Sequence, residues 1–301
     1  MASIIFLVGF FITLQRISYY CQKTRLHRAY TKHCAAPVIS KDDIFFQGKQ
    51  SGISRDQTHS ILSKRYSYYS SLNKELQEVF LNRVQSFMHR KYFIIKDDEV
   101  LREMPVLVSA AAVQLTFGLK DYKLPFYKYI KIYPEEYIAD FSFKVLAGRV
   151  EGNTITVAWY HVLKGLADTM DGANVGLHEM SHALYIQKIV IEENYSRTFT
   201  ARYNGLVSEC EHAYSCEAKE EKNLYSSYAD TNLQEFWAES VELFFEKPED
   251  LNQHYPNVFH SMKVLLSQDP RNRESPLIKR KSLQTKIKEV ITLVNLQRNW
   301  S

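Results

Sequence analysis

His178-Glu179-Met180-Ser181-His182 carries the strongest functional signal in this chain, because on a helix it places two imidazoles one turn apart with a carboxylate beside them. At 3.6 residues per turn, positions i and i+4 lie about 40° apart around the axis, so both rings can reach one metal ion. A carboxylate next to such an ion can take a proton from the attacking water. The pentapeptide therefore predicts half of a zinc peptidase site.

The surroundings of the pentapeptide decide between this interpretation and a surface helix with two chance histidines. Residues 175–177 before it and Ala183 and Leu184 after it are apolar. Burying unpaired imidazoles and a carboxylate there would be costly, and metal ligation removes that cost. Turn-forming residues at 171–174 precede the segment, so the predicted helix starts near Asn174.

A second amphipathic helix downstream offers carboxylates for the missing third ligand. It is expected to begin at Thr231 or Asn232 and to end at Pro248. Three acidic residues recur along one side of it, either as a solvated face or as the source of the ligand: Glu235, Glu239 and Glu242. Spacing alone leaves both interpretations open.

The two segments together resemble a known family. H-E-M-S-H followed by Y-A-D-T-N-L-Q-E-F-W-A-E-S-V-E-L-F-F-E-K-P at 228–248 resembles the Mlc titration factor A family of zinc metallopeptidases, the glucose-regulated metallopeptidases. The site of that family is similar to that of the lethal factor protease of anthrax toxin. The resemblance implies that His178, His182 and Glu235 hold one Zn²⁺ per chain and that Glu179 is the catalytic base. It also implies that Tyr228, seven residues before Glu235, donates to the oxyanion.

The resemblance spans roughly residues 68–270 and implies a fold. That fold is α+β and zincin-like, mostly helical with a small mixed sheet, the ligands lying on two helices and an edge strand free to pair with an extended substrate. The matching segments are helices at 68–93 and 106–119, a strand at 126–134, and the region 253–270. One position departs from the family pattern: Tyr185 stands where members often carry an acidic residue.

Other polar residues near the motif receive weaker expectations. Glu239 either orients a ligand imidazole or is solvated. His161 follows a predicted strand at 154–158 and is expected to be a strand-end or core histidine. His212 is expected in a variable loop between the two ligand helices. The cysteines at 21, 34, 210 and 216 show no metal-binding spacing and are expected to be reduced in a cytoplasmic domain.

The amino terminus suggests a membrane location. Residues 1–22 predict an anchor, 23–67 a juxtamembrane connector, and 68–301 the metallopeptidase domain with a basic C-terminal helix. A cleaved signal peptide or a buried helix are the alternatives for the first segment. Basic residues after it place the domain in the cytoplasm, and a soluble cytoplasmic protein is the alternative localisation.

Composition adds two limits. The 301 residues, 45% of them hydrophobic, suffice for one core, and a net charge of +4 is too small to suggest nucleic acid as a partner. The basic segment after residue 270 is either a solvated helix face or a contact with anionic lipid.

The predicted function is zinc-dependent hydrolysis of peptide bonds, aminopeptidase-like on short substrates by family resemblance. The expected partners are a peptide or protein substrate and the membrane, through the N-terminal helix. The family takes its name from binding a glucose-responsive transcriptional repressor. The alternative is therefore a protein that sequesters a transcriptional regulator, with peptidase activity secondary.

Overall fold

A computed structural model describes residues 36–97, 102–138, 144–192, 197–217, 224–226, 229 and 232–278. Over these ranges the chain has the predicted α+β fold, mostly helical beside a small mixed sheet. The strands are β1 (Ile44–Gln47), β2 (Tyr92–Ile95), β3 (Tyr129–Tyr133), β4 (Tyr137–Ile138), β5 (Val145–Leu146), β6 (Gly148–Glu151) and β7 (Thr154–Ala158).

Five of these strands form the main sheet, in the order β1-β2-β3-β7-β6. The central strands β2, β3 and β7 are parallel, whereas β1 and β6 pair antiparallel at the two edges. The Ile and Val residues of the central strands are buried, as is usual for parallel strands. Strand β7 has the bounds predicted from the sequence, and β4 and β5 form a separate two-stranded ribbon.

The helices pack around this sheet. They are α1 (Arg55–Arg65), α2 (Ser67–Ser71), α3 (Lys74–Met88), α4 (Glu103–Thr116), α5 (Trp159–Ala167), α6 (Val175–Tyr185), α7 (Arg197–Glu217), α8 (Leu233–Glu246), α9 (Pro248–His254) and α10 (Pro256–Leu266). A π-helical segment, Ile186–Ile191, continues α6.

Helix α4 is buried along nearly its whole length and forms the centre of the core. Its small residues let α6 approach closely: a side chain at Gly176 would meet Ala111 at 3.2 Å. Helix α6 also contacts α8, β6 and β7. The metal-motif helix is thus held on several sides by the core.

The predicted helix at 68–93 is divided in the structure. Helix α2 ends at Ser71, and the Asn73 side chain then accepts a hydrogen bond from the Leu76 amide to cap α3. The chain leaves α3 at Met88 and enters β2 at Tyr92. A polar cap and a turn therefore divide the amphipathic pattern into three elements.

Part of the segment predicted as a connector, 23–67, belongs to the folded unit. Strand β1 pairs with β2, with Ile44 opposite Ile95. Leu62 on α1 is fully buried, and Tyr66 is 2% exposed. These residues bury apolar surface against α3 and α4, so they stabilise the domain.

The membrane-anchored localisation predicted from the sequence is corrected. Among the described residues, no helix has the length and apolar character needed to cross a bilayer. The longest of them, α7, includes charged residues such as Arg202 and Glu209, whereas a span needs about 20 mostly apolar residues. The predicted anchor at 1–22 and the basic C-terminal helix lie outside the described residues.

Candidate metal centre

Two capped helices bring the predicted ligands together. Helix α6 starts where the Asn174 side chain accepts from the Leu177 amide, as predicted. Helix α8 starts at Asn232, whose side chain accepts from the amides of Gln234 and Glu235. The indole nitrogen of Trp237 donates to the Ser181 carbonyl at 3.1 Å and ties the two helices together beside the motif.

His178, His182 and Glu235 form a compact group of possible metal-ligating atoms. The Nε2 atoms of His178 and His182 are 3.2 Å apart. Oε2 of Glu235 lies 3.1 Å from Nε2 of His178 and 3.3 Å from Nε2 of His182. Tetrahedral zinc with bonds of about 2.0–2.1 Å has ligand atoms about 3.3 Å apart. The triangle therefore has the size of one face of such a site, and these residues fit a bound metal ion.

The charges around this triangle favour a cation. Burial lowers the pKa of His178, but hydrogen bonds to Glu235 and Glu242 outweigh burial and raise it to about 10. Burial raises the pKa of Glu235, yet the hydrogen bonds of His178 and His182 bring it down to about 2. Without a metal ion, a proton on His178 holds the carboxylates together.

Glu242 is a second carboxylate of α8, besides Glu235, that contacts a ligand imidazole. Its Oε2 lies 3.1 Å from Nδ1 of His178, while its Oε1 accepts from the Asn174 amide at 2.6 Å. Glu239 turns instead to Ser226, whose amide and hydroxyl both donate to it. The described hydrogen bonds of Glu239 thus go to Ser226, and its role as a residue that orients a ligand imidazole, one of the two left open for it, stays a prediction.

Glu179 is buried beside the triangle and is 5% exposed. Its Oε2 has no hydrogen-bond partner among the described residues. Burial raises the pKa of Glu179 to about 8, with His178 opposing the rise and Glu235 and Glu242 adding to it. A carboxylate with this pKa can accept and return a proton near neutral pH.

Gly148, the first residue of β6, makes room for Glu179. A β-carbon at this position would lie 2.5 Å from both Cγ and Oε1 of Glu179. Any larger residue would displace the carboxylate or the edge of the sheet. No local sequence signal identifies this glycine, because the clash arises from packing between a strand and α6.

Tyr137 on β4 is a further residue of this region that sequence reasoning missed. Burial raises the pKa of its hydroxyl well above the usual range, and the negative charge of Glu179 adds to the effect. Its ring stacks on Tyr133 with ring centres 4.3 Å apart. The hydroxyl is thus buried on the Glu179 side of the centre.

The remaining candidates fall elsewhere. Tyr228 lies outside the described residues. His161 is on α5, with Nε2 2.7 Å from Glu136 Oε1. His212 lies within α7, so the loop predicted there is wrong. Tyr185, at the position that departs from the family pattern, packs its ring against Tyr203 of α7.

Comparison with known proteins agrees with this geometry. A family model described as glucose-regulated metallo-peptidase M90 matches residues 47–265. An uncharacterised protein of Synechocystis sp. (strain ATCC 27184 / PCC 6803 / Kazusa) is similar, with 25% identity over 236 residues, which cover 70% of this chain and 83% of that protein. The family match includes both ligand helices and most of the described core.

Proposed function

Because this chain belongs to the family of glucose-regulated M90 metallopeptidases, we propose that it is a zinc-dependent peptidase that acts as an aminopeptidase on short substrates. The observation that carries the zinc assignment is the triangle of His178, His182 and Glu235, whose edges of 3.1, 3.2 and 3.3 Å suit one tetrahedral ion. Two imidazoles and one carboxylate are a ligand set that zinc prefers in catalytic sites.

In this proposal, His178, His182 and Glu235 would hold the zinc ion, which would supply Lewis-acid polarisation of the scissile carbonyl and of the attacking water. Glu179 takes a proton from that water and delivers it to the departing amine nitrogen. Its burial beside the ligand triangle supports this role, because a base of this kind must hold the proton away from bulk water between the two steps. By family resemblance, Tyr228 donates a hydrogen bond to the developing oxyanion.

Strand β6 supports a mode of substrate binding. It pairs with β7 on one side and lies at the edge of the described sheet, in contact with α6. An extended peptide that adds to this edge would gain backbone hydrogen bonds. Since Gly148 of β6 adjoins Glu179, the peptide backbone would then run beside the base.

The test is the pair of wild type and Glu179→Gln, compared by zinc content and by cleavage of a defined peptide library. We expect one zinc ion per chain in both proteins and a fall in turnover of about 10²–10⁴-fold in the variant. Glu75→Gln, on the exposed face of α3, is the matched control and should behave as wild type.

The same library tests the type of cleavage. Aminopeptidase action predicts products shortened from the amino end and no cleavage of N-acetylated peptides. Internal cuts would overturn the aminopeptidase assignment while leaving the peptidase assignment intact. Full activity of zinc-loaded Glu179→Gln would overturn the role of Glu179, and a zinc-loaded wild type inert on every peptide would overturn the enzyme.

A further inference from the structure

A separate pocket of about 70 Å³ lies at the carboxyl end of α8. Glu246, which lines it, is eleven residues after Glu235, a distance of about 16 Å along a helix axis. The pocket therefore lies about three turns from the ligand triangle, and the peptidase mechanism makes no use of it.

The pocket lining carries one residue of each charge. Glu246 is 3% exposed, with Oε1 accepting from the Asn174 side-chain amide at 2.9 Å and Oε2 accepting from the Gly172 amide at 3.1 Å. Arg273 is exposed and forms part of the rim. Burial raises the pKa of Glu246, so among the described residues its charged form lacks a compensating cation. A cationic group on a ligand would supply one, and a guanidinium pairs well with a carboxylate.

The other walls are neutral and partly aromatic. Tyr68, Leu166 and Phe245 supply apolar surface, and Tyr66 and Gln114 supply polar groups. A single water molecule needs at least about 10–15 Å³ of space, so the pocket has room for a ligand larger than one water molecule. Glycine, alanine and serine are the smallest α-amino acids that could enter it. Aromatic faces beside a carboxylate also suit an ammonium group.

We propose that this pocket binds a small free α-amino acid, with its ammonium group at Glu246 and its carboxylate at Arg273. Such a zwitterion matches the two opposite charges, the neutral walls and the volume together. A simple amine would satisfy only Glu246, and a simple acid only Arg273.

Asn174 connects this pocket to the metal centre. Its side chain donates to Glu246, and its backbone amide donates to Glu242, whose other oxygen lies against His178. Asn174 is also the N-cap of α6. Occupancy of the pocket therefore alters the environment of His178. This consequence rests on the proposed function, under which free amino acids are the products.

The experiment measures binding by calorimetry and thermal shift, with glycine, L-alanine and L-serine as probes. The Glu179→Gln protein serves as host, so binding is measured without turnover. We expect alanine to bind at least tenfold more tightly than ethylamine or propionate. Arg273→Met and Glu246→Gln should each weaken alanine binding at least tenfold, and Arg90→Met, at an exposed arginine elsewhere, should not.

Arg273→Met remains the deciding variant if Glu246→Gln fails to fold, because Arg273 is exposed. Absence of binding of all three amino acids at about 10 mM would overturn the inference. Ethylamine or propionate binding as well as alanine, or Arg273→Met keeping wild-type affinity, would also overturn it. None of these results would bear on the zinc peptidase assignment. A wild type that binds alanine but cleaves no peptide would overturn the peptidase assignment and leave the amino-acid pocket standing.

Discussion

At the residue scale, Glu242 is the side chain that fixes how His178 meets a metal ion. A neutral imidazole carries one proton, and a carboxylate at Nδ1 keeps that proton there. Nε2 is then left with a lone pair pointing into the triangle. The carboxylate also raises the basicity of the ligand nitrogen.

Glu242→Gln should weaken metal binding by about 10–100-fold, the usual cost of losing such a partner. The two hydrogen bonds use different oxygens of Glu242, and glutamine has an NH₂ group in place of one of them, so it loses one of these bonds and has no charge to polarise the ring. Competition with a chelator of known affinity measures the change.

Glu239→Gln is the matched control for that measurement, because it removes a carboxylate one turn away whose described hydrogen bonds go to Ser226. It should keep wild-type metal affinity. Equal losses in the two variants would mean that Glu242 acts only through the general acidity of α8, and no loss in either would refute its positioning role.

At the scale of elements, local signals predicted well and distant contacts did not. The caps at Asn174 and Asn232 and the strand β7 follow from residues adjacent in sequence. The choice between Glu239 and Glu242 does not, because both lie on the same side of α8 as Glu235. That choice depends on α6 and α8 running antiparallel, so that later residues of α8 meet earlier residues of α6.

Edge elements were missed for the same reason. The residues next to β1 in the sequence are mostly polar, so this strand is recognisable only from its pairing with β2. The role of Gly148 depends on the approach of α6 to β6, which no repeat or cap in the sequence encodes. Resemblance to a family supplied Glu235 as the third ligand, since periodicity alone left three candidates.

Lys91, between α3 and β2, illustrates a stabilising contact of this long-range kind. Its ammonium group is buried and donates to the carbonyls of Lys123, Leu124 and Tyr127. Leu124 adopts a left-handed backbone, with φ of 44°. Lys91 thus holds a strained turn that leads into β3.

Lys91→Met should lower the free energy of unfolding by at least about 2 kcal/mol, because three carbonyls lose their donor while two of these bonds are buried. Urea unfolding followed by circular dichroism measures it. Lys128→Met, at an exposed lysine of the same region, is the control and should stay within about 0.5 kcal/mol of wild type. An unchanged midpoint for Lys91→Met would show that water replaces the lysine at no cost.

At the scale of the whole molecule, the metal centre lies where the main helices and the sheet pack together. Helix α6 packs on α4, β6 and α8. Four acidic side chains of α6 and α8 lie in the hydrogen-bond network of the metal centre or beside it: Glu179, Glu235, Glu242 and Glu246. Burial raises the pKa of Glu179, Glu242 and Glu246, whereas Glu235 keeps a low pKa, so the charge of Glu235 is the one that most needs a compensating cation. In the metal-free protein, the proton on His178 supplies it.

That requirement makes the stabilising effect of zinc depend on pH. The folded-state pKa of His178, about 10, lies above the ordinary value of 6.5. The stability that its proton provides is therefore complete below pH 6.5 and is lost as the pH rises towards 10. Zinc replaces this proton, so its affinity should rise by up to about tenfold for each pH unit between roughly 7 and 9.

We expect the difference in Tm between zinc-loaded and chelator-treated protein to widen steadily from about pH 7 to pH 9. The carboxyl of Glu246, whose pKa burial raises from 4.5 to about 8, destabilises the fold increasingly as the pH rises from about 4.5 to 8. It does so in both forms and cancels in the difference. His178→Gln, which lacks the titrating ring, should show a small difference that does not widen. A wild-type difference that stays constant across this range would mean that zinc displaces no proton from His178.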